Sequence, residues 1–214
     1  NGVSFKWCKT MSKQLGFEKG RIIECVVTTY NKDRSPNAAP MGVYTASNND
    51  FILNIHLGSD THSNIIRNKG CVINLVYDPF IFLRTTIRGH GLGCSEPEVE
   101  SYEVSNSKNV FAPILKEANA YIEVSLNSKN EYVKSDSYND SKFSVMRFST
   151  VNEVIIRKYP TGYNRGLGAA VELAIKLSRG QYENIQEHMN IMKRTMKKDE
   201  FEKINLLLQP YIRD

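Results

Sequence analysis

Along the chain the spacing of apolar positions changes once from a period of two to a period near 3.6, and that change predicts its organisation. Residues 21–30 hold the β-branched run Ile22-Ile23-Glu24-Cys25-Val26-Val27-Thr28-Thr29, which predicts a strand. Residues 31–36 are rich in Asn, Asp, Ser and Pro and predict a hairpin loop. An extended pattern resumes over 37–46, where Pro40 implies an edge or a bulge. Phe51, Leu53, Ile55 and Leu57 then alternate on one face, completing three successive antiparallel strands. Ser59-Asp60-Thr61 reads as a helix start, with Gly70 as the stop before a further strand over 71–77.

The middle of the chain, 78–116, carries Pro79, Pro97 and Pro113 and a polar stretch around 101–109, and no regular element is assigned to it. Strand patterns return over 120–126 and 143–156, separated by a polar segment, 127–142, that reads as a mobile or functional loop. After Arg157 the helical period takes over: Leu167, Ala170, Val171, Ala174, Ile175 and Leu177 share one face, and Gly180 ends the helix. Two more helices are expected over 182–196 and 200–211, the second entered through Asp199. Strands first and helices last predict a mainly β fold with α, a β-barrel followed by a small C-terminal helical unit. The expected boundaries are a flexible N-terminal tail at 1–19, a barrel domain at 20–158 and the helical unit at 159–214.

Composition narrows the class. A chain of 214 residues with 41% hydrophobic and 24% charged residues is ordinary for a globular protein with one good core. No apolar run approaches the roughly 20 residues of a membrane helix, and the first residues lack a signal-peptide core, so a cytoplasmic protein with no membrane partner is expected. The net charge of +5 raises the question of nucleic acid. Its excess lies largely in the first 20 residues, where Lys6, Lys9, Lys13 and Lys19 face only Glu18, while the residues from Gln181 onward balance. A solvated mixed surface is therefore expected, with no nucleic-acid partner. Cys8, Cys25, Cys71 and Cys94 share no short spacing and read as reduced thiols, and His56, His62, His90 and His188 form no pair at ligand spacing. No metal site is predicted.

Gly89-His90-Gly91-Leu92-Gly93 departs from the GxGxxG spacing and precedes Cys94-Ser95-Glu96-Pro97, so it reads as a turn and not a dinucleotide loop. No Walker loop, HExxH or GxSxG occurs. Three other segments converge if the first hairpin closes as read. Thr28 and Thr29 end a strand beside Asn37, Ala38, Ala39, Pro40, Met41 and Gly42, and Ser59, Thr61, His62 and Asn64 open the following helix. Small residues would admit a flat ring close to the backbone, polar ones would bond its edge, and a helix N-terminus would suit a phosphate. The alternative reading makes the threonines strand formers, Asn37 a turn residue, and Ser59 or Thr61 a helix cap.

These segments, with Val72-Ile73-Asn74, Asp78-Pro79 and Gly162-Tyr163-Asn164-Arg165, resemble the domain of unknown function family 447 over about 19–179. That family comprises uncharacterised, largely archaeal proteins related to flavin-reductase-like and pyridoxamine-phosphate-oxidase-like split barrels. The resemblance implies an FMN-binding split β-barrel, a homodimer with flavin near the subunit interface, and cofactor contacts from Thr28, Thr29, Asn37, Ala38, Ala39, Met41, Ser59, Thr61, His62, Asn64 and Arg165. Arg165 has two readings, a fork for a phosphate or substrate anion and an ion pair with Glu172. Two functions remain open, an FMN-dependent oxidoreductase of unknown substrate and a flavin-binding sensor, carrier or accessory protein. No residue stands out as catalytic.

Overall fold

The computed structural model describes residues 14–19, 21–47, 50–89, 96–135, 140–157 and 165–210. Eight strands are formed: β1 (Ile22–Tyr30), β2 (Pro36–Ser47), β3 (Asp50–His56), β4 (Gly70–Leu75), β5 (Val104–Asn106), β6 (Pro113–Leu115), β7 (Ala120–Ser135) and β8 (Asp140–Ile155). Six of them close a barrel in the order β1-β2-β3-β8-β7-β4, and β5 and β6 make a separate ribbon. The helices are α1 (Asp60–Asn68), α2 (Pro79–Gly89), α3 (Arg165–Ser178), α4 (Ile185–Thr195) and α5 (Lys198–Leu208). The mainly β barrel with C-terminal helices expected from the sequence is the fold observed.

Period-2 alternation fills the barrel. Cys25, Val27, Val43, Phe51, Leu53, Ile55, Ile73, Ile122, Val124, Met146 and Phe148 point inward and form one core. Phe17 joins them, set edge-on to Phe51 with centroids 5.0 Å apart, so the stretch expected as a flexible tail supplies a core side chain. Pro40 pairs with Val26 on β1, whereas β2 meets β3 only from Val43 onward, so the proline has one neighbouring strand as expected of an edge.

Four expectations are corrected. The helix stop before β4 is Lys69, which adopts φ 59 and donates its N–H to the Ile65 carbonyl at 2.9 Å. Gly70 serves another purpose: a Cβ there would lie 2.7 Å from the Val124 carbonyl oxygen. The middle segment contains α2, whose start is marked by the Asp78 side chain accepting the Phe80 N–H at 2.9 Å, with Pro79 in the first turn. The polar segment at 127–142 is mostly strand: β7 and β8 pair from Ala120↔Ile155 out to Ser135↔Asp140, forming an arm that runs past the barrel rim. Finally, α5 begins at Lys198 and not after Asp199; Glu200 takes the Lys197 N–H at 3.2 Å.

The C-terminal helices pack as one cluster with α2, joining Leu83 and Ile87 to Leu173, Leu177, Met189, Met192, Ile204 and Leu208. Gly180, at φ 66, ends α3 as expected, and the Gly180 and Gln181 N–H groups bond the Leu177 and Lys176 carbonyls. The glycine turn at 89–93 beyond Gly89, the segment 162–164, Cys8, Cys94, His90 and residues 1–13 lie outside the described residues. Among the described residues no helix is long and apolar enough to cross a membrane.

Candidate functional site

Thr29 on β1 stands directly opposite Asn37 on β2, and opposed residues of antiparallel strands share a face. The Asn37 amide uses both N–H groups there, donating to the Thr29 hydroxyl oxygen at 3.0 Å and to the Thr61 hydroxyl oxygen at 3.1 Å. Asn64, one turn along α1, donates to Thr29 at 3.0 Å and to Asn31 Oδ1 at 2.7 Å. Arg67 closes the group, reaching Asn64 Oδ1 at 2.6 Å and the Tyr30 carbonyl at 2.8 Å. Thr29, Asn37, Thr61 and Asn64 are all buried, and their polar atoms satisfy one another. The group fastens the first turn of α1 to the ends of β1 and β2.

That first turn has donors to spare. Ser59 is the helix cap, its hydroxyl accepting the His62 N–H at 3.2 Å, and among the described residues no side chain takes the N–H groups of Asp60 and Thr61. Thr61 is thus not a cap; its hydroxyl oxygen accepts from Asn37, which leaves its proton to donate. The Nε2 atom of His62 is buried without a partner. Burial lowers the affinity of this imidazole for a proton, the nearby Lys129 lowers it further, and Glu131 opposes both.

The remaining sequence candidates sit elsewhere. Thr28 faces the other side of β1, where its hydroxyl meets the Pro113 carbonyl and accepts from Asn74 at 2.9 Å. Asn74 also accepts the Leu115 N–H at 3.0 Å, so Thr28 and Asn74 together hold the β5–β6 ribbon on the barrel. Ala38 is buried beneath α2 with Val26, Ile81 and Phe82. Ala39 is half-buried, and Met41 packs on the barrel core. The space over Gly42 is taken by Ile22 and Glu24. Arg165 is exposed at the start of α3 and is not part of the hydrogen-bonded group; no ion pair with Glu172 occurs among the described residues. Glu172 instead faces Glu24, whose carboxyl is raised by burial and then by that neighbour.

Asn31 and Arg67 belong to the group but were not among the sequence candidates. A signal existed for Arg67: it follows Asn64 by three positions, which places both on one helix face.

Residues 23–157 match the family described as protein of unknown function (DUF447), N-terminal domain. An uncharacterized protein from Methanocaldococcus jannaschii is 24% identical over 165 residues, covering 77% of this chain and 78% of that one. Among solved structures, an FMN-bound protein from Methanosarcina mazei superposes with a TM-score of 0.68 at 22% identity, over 92% of this chain and 98% of its own. The flavoredoxin from Methanosarcina acetivorans gives 0.51 at 15% identity, over 65% and 72%. These structures share the barrel fold. With the family match spanning most of its length and the barrel described above, this chain belongs to the DUF447 family.

Proposed function

We propose that the chain is an FMN-binding flavoprotein, a homodimeric cytoplasmic oxidoreductase that seats the flavin phosphate on the first turn of α1. The observation that carries this reading is the Asn37 amide, which bridges Thr29 and Thr61 and so holds a helix N-terminus against the open ends of two strands. The residues present fit a phosphate. Among the described residues two backbone N–H groups of that turn lack a cap, the helix end is positive, and the Thr61 hydroxyl has a proton to give. The related fold of an FMN-bound protein supports the choice of cofactor.

Bound FMN would supply hydride or electron transfer. The chain's own part is binding and orientation. Asn37 and Asn64 fix Thr61 and the first turn of α1 in advance, so little ordering remains to be done when the ligand arrives. Exposed Ile22, Phe111 and Val133 are apolar surface that a second copy would cover.

The test is anaerobic addition of NADH or NADPH to the FMN-loaded protein. Bleaching of the flavin at a catalytically useful rate supports the oxidoreductase. A flavin that dithionite reduces and neither nicotinamide does supports a carrier or sensor.

A further inference from the structure

Strand β7 has one edge that the barrel uses only in part. It pairs with β4 as far as Ser125, opposite Gly70, and the Leu126 N–H then closes on the Lys69 carbonyl at 2.9 Å. The ladder with β8 shifts register between Leu126 and Ser128, a bulge where the arm leaves the barrel. From Ser128 to Ser135, β8 is the one strand that β7 pairs with among the described residues. The other edge presents its main-chain N–H and C=O groups as a template for a further strand.

The side chains along that edge select the strand that fits. Edges are commonly blunted by proline or by unpaired lysine, which turn a foreign strand away. The segment Ser128-Lys129-Asn130-Glu131-Tyr132 has no proline, and all five residues are exposed. Lys129 and Glu131 lie two positions apart on one face and pair at 2.7 Å with both side chains still open to solvent. Set antiparallel to itself about Asn130, the segment is complementary. Lys129 then faces Glu131 of the partner subunit, and Glu131 faces the partner's Lys129. On the opposite face the Tyr132 ring, stacked on Phe143 at 6.1 Å, meets the small Ser128 of the partner subunit. Moving the centre to Lys129 or to Glu131 opposes like charges. One two-fold axis through the paired Asn130 residues thus joins the two arms into a continuous four-stranded ribbon.

We infer that the outer edge of β7, from Ser128 to Tyr132, pairs antiparallel with the same edge of a second copy, and that Lys129 and Glu131 set its register. This gives the homodimer proposed above its contact and rests on that part of the reading, not on the flavin.

The experiment is sedimentation of the full chain at micromolar concentration. It compares the parent, Lys129→Glu, Glu131→Lys, the double exchange of both, and an equimolar mixture of the two single variants. The parent and the double exchange should be dimers, because the exchange restores every opposed pair. Each single variant opposes like charges twice and should raise the dimer dissociation constant at least about tenfold. The mixture should recover a dimer of the two different chains, one edge acidic and the other basic, which two misfolded variants could not form. Single variants that dimerise as the parent does, or a double exchange or mixture that stays dissociated, overturn the arm contact and leave the homodimer standing. A monomeric parent overturns both.

Discussion

The Asn37 amide donates to the Thr61 hydroxyl oxygen at 3.1 Å, joining the start of β2 to the first turn of α1 across 24 residues of sequence. Because the same amide also serves Thr29, one side chain satisfies two buried hydroxyls. Asn37→Leu keeps the volume and removes both bonds. It should lower apo stability by about 1–3 kcal/mol and loosen the helix start, weakening FMN more than riboflavin. Chemical denaturation and flavin titration of the same variant check the two effects; a stable variant with parental FMN affinity would show that the bridge positions nothing.

Thr61→Ala separates ligand from scaffold less cleanly than the sequence suggests, because the hydroxyl is engaged internally as well as free to donate. FMN affinity should fall by about 1–3 kcal/mol, roughly 5-fold to 150-fold, and apo stability by about 1 kcal/mol. Riboflavin affinity should fall far less. Calorimetric titration with both ligands reads the difference, and equal losses for the two would remove Thr61 from the phosphate site.

Gly70 and Gly58 test the backbone. A Cβ at Gly70 would press on the Val124 carbonyl oxygen at 2.7 Å, and a backbone atom in a barrel ladder has little room to yield. Gly70→Ala should cost about 1–3 kcal/mol through this overpacking. Gly58 has open space around it but φ 85, so Gly58→Ala should cost about 1–2 kcal/mol through strain alone. Denaturation midpoints decide, and the sign to look for is a loss at Gly70 despite its ordinary φ.

Much of the fold was legible because burial writes a period into the sequence. Phe51, Leu53 and Ile55 alternate since one face of β3 fills the barrel, and Leu173 and Leu177 recur at helical spacing since one face of α3 packs on α2. The outer halves of β7 and β8 were not legible. Lys129, Asn130, Glu131, Tyr132 and Val133 are all exposed, so no buried face imposes an apolar alternation on them. The start of α2 was written in Asp78-Pro79, a cap followed by a first-turn proline, but the helix was masked by its mixed role. It touches the barrel layer through Ile81 and Phe82 and the helical cluster through Leu83 and Ile87, which blurs a single apolar stripe. The candidate site was legible in its membership and not in its direction. Thr28 and Thr29 are neighbours in sequence, yet strand pleating sends one to the β5–β6 ribbon and the other to α1.

Glu123 ties the loop before β6 to β7. It is 1% exposed and accepts from the Ser107 hydroxyl and the Asn109 amide. Burial alone would push its carboxyl up, but the bonds from Ser107, Asn109 and Asn152 and from the Lys108 N–H together hold it below the usual carboxylate range. A carboxyl lowered in the folded state contributes stability that is fully present above its unfolded pKa and is lost as pH falls through the folded value. Glu123→Gln should therefore be less stable than the parent at neutral pH and converge towards it in acid. Melting curves across acid to neutral pH check this, and a constant difference at every pH would contradict it.

The central claim, that α1 and the strand ends form an FMN phosphate site, is tested most directly by titrating the apo-protein with FMN and with riboflavin under identical conditions. The two ligands share the ring and the ribityl chain and differ in the phosphate alone. The account predicts that FMN binds more tightly by at least about tenfold, the contribution expected of charge-assisted hydrogen bonds at a helix N-terminus. Equal affinity for the two, or no binding of either, would contradict it.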